Sequence, residues 1–443
     1  MPGMVNAHNH SNENWFRGMW DNLPLEPWML FSYPALAAPS QSPDEIYLRT
    51  VFGALEQLRS GATCVVDFLY ELDGFTTESL EAVVRGYRDA GLRALIALGI
   101  GDRAYHETVI LEEGLVSREL VEQLEAERPP SWDEWQRFCR EAVERFHRPD
   151  EGVSIALGPS GPQRCTDEML AGCAALADEL DLVIHIHMLE TRMQAVSGRR
   201  MYGKTLVEHM DAIGFLSPRV VFAHGIWLTP ADIELVRDRG VTVAHNPASN
   251  LKLGSGLAAI PTLLAEGVNV ALGTDGMSSN DGLDMFASLK LAALLHKLWG
   301  IDYEQWLGAR EAWQLATLGG AQAAGDPAGL GVIEPGRRAD LVLLDLESRV
   351  FTPLNDPLRQ LALGSSTLAV DSVLVGGEWS VREGRTPRVD EGEILARVRE
   401  TGREIVGRFD EAFELGQQLL ASLRAGWLEA LRTEVGVERK LSL

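Results

Sequence analysis

Residues 3–10, GMVNAHNH, set two histidines, His8 and His10, at the end of an apolar run. In an extended chain residues i and i+2 project to the same side, so the two imidazoles point together. The same form, an apolar run that stops at polar residues, recurs along the first two-thirds of the chain. The further runs are ATCVVDFL (62–69), RALIALGI (93–100), VSIALGPSG (153–161), LVIHIHM (182–188), VVFAHGIWL (220–228), TVAHNPAS (242–249) and VNVALGTDG (268–276). Between them lie helical patterns such as PDEIYLRTVFGALEQLRSG (43–61) and TDEMLAGCAALADELD (166–181). Strand alternating with helix specifies an α/β protein with a parallel sheet, and eight such strands specify a closed (β/α)8 TIM barrel. An open doubly wound sheet would announce itself by a glycine-rich first turn, and no GxGxxG follows any of these runs.

Two long segments interrupt the alternation. Residues 11–43 hold Trp15, Phe16, Trp20 and Trp28, and residues 104–151 are charge-rich and helical. Both follow strands, so both are expected at the face where substrate enters, as lids or pocket walls. The barrel is expected over 1–326. A small β unit with glycine turns follows over 327–389, and an amphipathic helical tail over 390–443. The tail is read as packing on the barrel or on a second subunit, and a homo-oligomer is expected.

The 443 residues carry a formal net charge of −24. That field repels nucleic-acid backbones and anionic membrane surfaces. A small-molecule partner is expected, with no nucleic-acid polymer and no membrane. Cys64, Cys139, Cys165 and Cys173 show no CxxC and no framework spacing, which suits reduced thiols. No signal peptide and no membrane-spanning run is apparent, so a cytoplasmic protein is expected.

The chemistry gathers at the strand ends. His8 and His10 close the first strand, His185 and His187 the fifth, His224 the sixth and His245 the seventh, while Asp275 closes the eighth. Taken singly, each histidine reads as a core residue satisfied by a carbonyl. Six of the ten histidines at the carboxyl ends of barrel strands do not. Imidazoles with one carboxylate suit Zn2+ or Fe2+ better than Mg2+.

These residues resemble the amidohydrolase superfamily, in the aminohydrolase branch of adenosine-type, S-adenosylhomocysteine, guanine and cytosine deaminases and triazine hydrolases. The resemblance covers roughly residues 2–380. It is carried by PGMVNAHNH, HIHMLET, AHGIWL, HNPASNLKLGSG, LGTDGMSSN and EPGRRADLVLLD, in the family's order. It implies one divalent metal, Zn2+ or alternatively Fe2+, held by His8, His10, His187 and Asp275. It implies Glu190 as proton shuttle and His224 as hydrogen-bond partner of the water and the developing alkoxide. His245 and Asn250 fall where relatives border the substrate. His185, deeper along its strand, reads as structural. Binuclear relatives bridge two ions with a modified lysine at the end of strand four. The five lysines here (204, 252, 290, 297, 440) all lie elsewhere, so one metal is expected.

A protein-bound divalent metal lowers the pKa of its water toward ~7. The resulting hydroxide would attack the amino-bearing carbon of a heterocycle. Asp275 would take the water's proton, and Glu190 would protonate the ring nitrogen and then the departing amine, which leaves as ammonia. In LEPWM (25–29), Glu26 and Trp28 stand where nucleoside-deaminating relatives place a pocket acid and a stacking aromatic. Alternatively these residues pack the loop onto the barrel. Gln163 and Arg164 after strand four, and Arg17, either face the ligand or are solvated loop residues. Relatives carry residues before the first strand that form half of a β-sandwich; this chain starts at the strand. The small β unit is therefore expected as a half-sandwich, with the helical tail a candidate cover for its edges. Two other activities fit the pattern less well. One is a same-fold hydrolase displacing chloride or a thiolate, as in chlorotriazine chemistry. The other is a non-catalytic relative, which full retention of the six site residues argues against.

Overall fold

In the computed structural model, which describes residues 1–299, 301–364 and 366–440, the eight runs are eight parallel strands ordered as in the sequence. They are β1 (Met4–Asn9), β2 (Ala62–Leu69), β3 (Arg93–Ile100), β4 (Val153–Pro159), β5 (Ile184–Met188), β6 (Val220–His224), β7 (Thr242–His245) and β8 (Val270–Leu272). The ring closes where Asp275 N donates to His8 O at 2.9 Å. Asn6 and Thr274 reinforce that seam with bonds of 2.8 and 3.0 Å.

The strands are mostly apolar because both faces are covered; β2 is buried along its whole length. Outside, they pack on helices such as Thr77–Ala90, whose Leu80, Val83, Val84 and Tyr87 form one buried stripe. That helix starts at a Thr76 side chain accepting from Ser79 N and stops at Gly91 in the left-handed region. Inside, Ala7, Val221, Ala244 and Ala271 make one small cluster, and Val66, Phe68, Leu95, Ala97 and Ala156 another. The interior is a filled core, and chemistry is left to the rim.

The segment 104–151 is not a single insertion. Its second half, the helix Trp132–Phe146, is the barrel's own connection from β3 to β4 and buries Trp132, Cys139, Ala142 and Phe146 in the main core. Its charged outer face masks that stripe in the sequence. The excursion proper is residues 104–131, with the helix Arg118–Glu125.

The small β unit is a three-stranded antiparallel sheet, β9 (Leu341–Leu344), β10 (Val370–Val375) and β11 (Glu378–Val381), in the order β11–β10–β9. The edge of β9 is met by the first residues of the chain. Met1 and Val342 exchange backbone bonds of 2.8 and 3.0 Å, and Pro2 pairs with Leu341. The helical tail lies elsewhere. Its helix Glu391–Arg408 packs mainly on the helix Pro43–Arg59, and its helix Asp410–Arg432 on the helices Leu25–Ser32 and Arg192–Tyr202. Ile405, Phe409 and Ala412 meet Trp15, Phe16 and Leu55, while Leu419 and Leu423 meet Leu30, Phe31, Leu120 and Leu124. Contact is close: a Cβ on Gly416 would lie 2.7 Å from Leu30 O, and one on Gly426 2.0 Å from Ile110 O. No described helix is long and apolar enough to cross a membrane.

Candidate active site

The rim of the barrel receives His8 and His10 from β1, His187 from β5 and His224 from β6. Asp275 comes from the turn three residues beyond β8 rather than from the strand's end. His224 and Asp275 have φ of +73° and +65°, in the left-handed region. Non-glycine residues there cost about 1–3 kcal/mol and persist where neighbours over-determine them. Here the bond from Asp275 N to His8 O and that from Gly225 N to Met188 O (3.0 Å) fix the backbone.

The imidazoles are oriented from behind. His10 Nδ1 donates to Phe68 O at 2.6 Å, and His187 Nδ1 to Ser160 O at 3.0 Å. Each ring then carries its lone pair on Nε2, and those two atoms stand 3.3 Å apart. His8 Nδ1 lies 2.9 Å from His185 Nε2, which leaves His8 Nε2 buried without a partner. Asp275 Oδ1 stands 3.7 Å from His8 Nε2 and 3.5 Å from His10 Nε2. Burial, then the neighbouring imidazoles, push His8 and His187 well below the usual histidine range, so both rings are neutral. Lone pairs facing one another across 3.3 Å repel unless a cation lies between them. Neutral imidazoles plus one carboxylate, backed by carbonyls on the far nitrogens, are a donor set for a divalent transition metal. Two overlapping groups bring donor atoms within 4.8 Å of one another: His8 with His187 and His224, and His8 with His10 and Asp275. The residues present therefore fit the metal. His185 is held at about 3 by burial and serves as the brace of His8.

His224 Nδ1 donates to Asn250 Oδ1 at 2.9 Å. Its Nε2 is thereby turned toward Glu190 Oε2 (3.6 Å) and Asp275 Oδ2 (3.8 Å). Glu190 is buried, and its Oε1 has no partner. Desolvation, followed by the charges of Asp275 and Glu26, holds its carboxyl well above the ordinary range, which favours its protonated form.

These groups open into a cleft lined also by Leu25, Trp28 and Leu253. Among the expected substrate contacts, Trp28 lines it, edge-on to Tyr33 with centroids 5.6 Å apart. Four others do not line it. Glu26 accepts from Thr191 Oγ1 and borders a smaller neighbouring cavity with Lys440. Gln163 is buried with Oε1 unpartnered. His245 faces His296, and Asn250 stands behind His224. Arg17 pairs with Glu56 away from the cleft. Arg164, by contrast, lines it.

Glu13, Met29, Tyr33 and Tyr70 also line the cleft and are missed by reading motifs. Glu13 is fully buried and accepts from Tyr33 Oη (2.6 Å), Ser278 N and Oγ (3.1 and 2.7 Å) and Ser279 N and Oγ (both 3.2 Å). It ties the segment after β1 to the turn that carries Asp275. The available signal was its place five residues after His8, a carboxylate in an aromatic-rich loop.

Comparison with known proteins agrees with this geometry. The model of the amidohydrolase family matches residues 1–380. The chain is 36% identical to a 5'-deoxyadenosine deaminase of Methanothermobacter thermautotrophicus, over 92% of this chain and 87% of that protein. It is also 36% identical to a 5-methylthioadenosine/S-adenosylhomocysteine deaminase of Thermococcus kodakarensis, over 85% and 81%. Among solved structures, an adenosine deaminase from Xanthomonas campestris with bound zinc superposes with a TM-score of 0.80 at 32% identity, covering 92% of this chain and 85% of that one. An atrazine chlorohydrolase from Arthrobacter aurescens in complex with zinc gives 0.82 at 28%, covering 92% and 88%. Motif order, a barrel rim of histidines with one aspartate, and a match across most of the chain agree: this protein belongs to the amidohydrolase family.

Proposed function

We propose that this protein is a metal-dependent hydrolytic deaminase of an aminated heterocycle, with purine nucleosides and nucleobases as the first class to test. One observation carries the reading. A buried Glu190, its carboxyl raised well above the ordinary range, stands beside His224 and Asp275 at a rim where imidazole nitrogens face one another. His8, His10, His187 and Asp275 would hold one divalent ion, Zn2+ in this proposal. When bound, that ion supplies Lewis-acid activation of water at neutral pH.

The remaining work belongs to the side chains. Trp28 and Tyr33 offer aromatic faces to a flat ring and help exclude water from the cleft. Glu190 gives its proton to the ring nitrogen next to the amino-bearing carbon, so that negative charge does not build up there. Asp275 accepts the proton of the attacking water through Oδ2. His224, fixed by Asn250, presents the Nε2 lone pair as an acceptor for the attacking water. Glu190 then takes the proton of the newly added hydroxyl and passes it to the amine, which departs as ammonia as that oxygen becomes the carbonyl, and Asp275 returns its proton to Glu190. Substrate recognition by Glu26, Gln163, His245 or Asn250 would be indirect, because none of the four lines the cleft.

Likeness to the atrazine chlorohydrolase favours one second reading, displacement of chloride by the same machinery. A single assay separates the two. Zinc-loaded protein is offered purine nucleosides, free nucleobases, pterins and chlorinated and aminated triazines, and ammonia and chloride are both measured. Ammonia from one class supports deamination and identifies the ring; chloride without ammonia replaces the first reading by the second. His8→Ala should lose bound metal and turnover together, and retention of both would overturn the site.

A further inference from the structure

The acids that line the cleft all face partners other than Arg164. Glu13 takes bonds from Tyr33, Ser278 and Ser279, while Glu190 and Asp275 face the imidazoles. One cation lines the cleft with them, Arg164, and among the described residues no carboxylate lies within ion-pair distance of it. Its guanidinium is held by weak partners only. Nη1 donates to Ser160 Oγ at 3.3 Å, and Nη2 rests 2.8 Å from the Met29 thioether sulfur. A thioether is a poor acceptor, and a half-buried guanidinium has five N–H donors to satisfy.

Arg164 is also placed rigidly. Its N donates to Gly161 O at 2.9 Å, and its O accepts from Asp102 N and Arg103 N at 3.3 and 3.2 Å. It ends the short helix Pro162–Arg164, and Thr166 beyond it is bonded to Asp102. The neighbouring donors continue the pattern. Tyr70 Oη shares Ser160 Oγ at 2.6 Å, and Trp28, buried on the same cleft, keeps an Nε1–H with no acceptor. In a chain of net charge −24, a pre-positioned cation without a carboxylate beside a row of donors calls for an acceptor from outside. A planar guanidinium pairs best with a carboxylate or a carbonyl oxygen.

We propose that Arg164 is a specificity-determining residue, binding a carbonyl or carboxylate oxygen on the part of the substrate away from the reacting carbon. The proposal rests on the deaminase reading for the identity of the ring, but not for the existence of the contact. The oxygen can belong to the heterocycle itself, as a lactam, or to a substituent. Arg164 touches Ser160, whose carbonyl holds His187. Arg164 thus shares Ser160 with His187 and lines the same cleft as Glu190, so a lactam of the ring itself is the first source to test.

Two matched pairs test this: guanine against 2-aminopurine, and S-adenosylhomocysteine against 5'-methylthioadenosine. Within each pair the first member carries the oxygen and the second lacks it. Binding is measured by calorimetry on the full-length zinc-loaded chain in a Glu190→Gln background, with Arg164, Arg164→Gln and Arg164→Lys. With Arg164 intact, guanine should bind about 10- to 100-fold tighter than 2-aminopurine, the range of a charge-assisted hydrogen bond. Arg164→Gln should abolish that preference while leaving 2-aminopurine unchanged, and Arg164→Lys should restore part of it. A preference confined to the nucleoside pair, and lost with Arg164, assigns the oxygen to the substituent. The proposal is overturned if no ligand binds, if neither pair shows a preference, if the preference survives Arg164→Gln, or if both members weaken equally. Ammonia release from the same four compounds by the otherwise native enzyme tests the deaminase reading separately. Arg164-dependent binding without ammonia would sink that reading and leave the contact standing.

Discussion

Glu190 differs from a surface glutamate because it is buried with Asp275 and Glu26 nearby, which raises its carboxyl and favours the protonated form. A protonated carboxyl can deliver a proton, and the amide of Glu190→Gln cannot. That variant should keep its metal, by elemental analysis, while kcat falls about 10²- to 10⁴-fold, the usual worth of a positioned general acid. A variant that lost both would make Glu190 a structural residue. The cysteines give the opposite case, in which burial makes chemistry impossible. Desolvation pushes Cys64, Cys139 and Cys165 up to about 12 and Cys173 well above its usual value. A raised thiol pKa means the neutral form persists at all lower pH, and only thiolate reacts. At pH 8 a thiol reagent should therefore label none of the four in the folded protein and all four after unfolding. Rapid labelling of the native protein would show that these positions open.

At the scale of elements, the strands were legible and the loops were not. Most strands are written as apolar runs with polar residues at or just beyond their ends, because the core requires the first and the rim the second; ATCVVDFL matches β2 residue for residue, and VVFAHGIWL opens with β6. Loop residues such as Tyr33, Tyr70 and Arg164 reach the cleft through turns whose geometry no periodicity records. The helix Trp132–Phe146 misled for a different reason: its outer face carries Asp133, Glu134, Arg137 and Glu141, and reads as an exposed insertion. Glu13 shows what a loop residue can hold. It fastens the segment after β1 to the turn after Thr274, and a Cβ on Gly276 would fall 2.0 Å from its Oε2. Glu13→Ala leaves buried hydroxyls and amides unpaired, at about 1–3 kcal/mol for a lost buried partner. A lower denaturant midpoint, together with weakened metal retention through the displaced Asp275, is expected. Unchanged metal affinity would confine Glu13 to stability.

For the molecule as a whole, the tail helices matter more than their distance in sequence suggests. Phe409 is fully buried and meets Phe16 edge-on, with centroids 5.0 Å apart. Phe409→Ala should cost about 3–5 kcal/mol, as large-to-small changes at packed aromatic sites do. Chemical denaturation measures it, and a loss below about 1 kcal/mol would show that the tail is loosely held. The sequence marked the tail as amphipathic, and its apolar spacing is plain. Which surface it covers is not written there, since Leu30, Phe31 and Phe16 become one platform only after the loops have folded.

Gly416 resting on Leu30 O has a bearing on timing. The helix Leu25–Ser32, which presents Trp28 and Met29 to the cleft, lies against residues synthesised almost four hundred positions later. On the ribosome the eight strands are complete long before that support emerges. A nascent chain can thus assemble its ring of histidines early, yet its aromatic roof has no backing until the last helices dock. A proteolytic cut that freed the helix Asp410–Arg432 would leave that roof without its support.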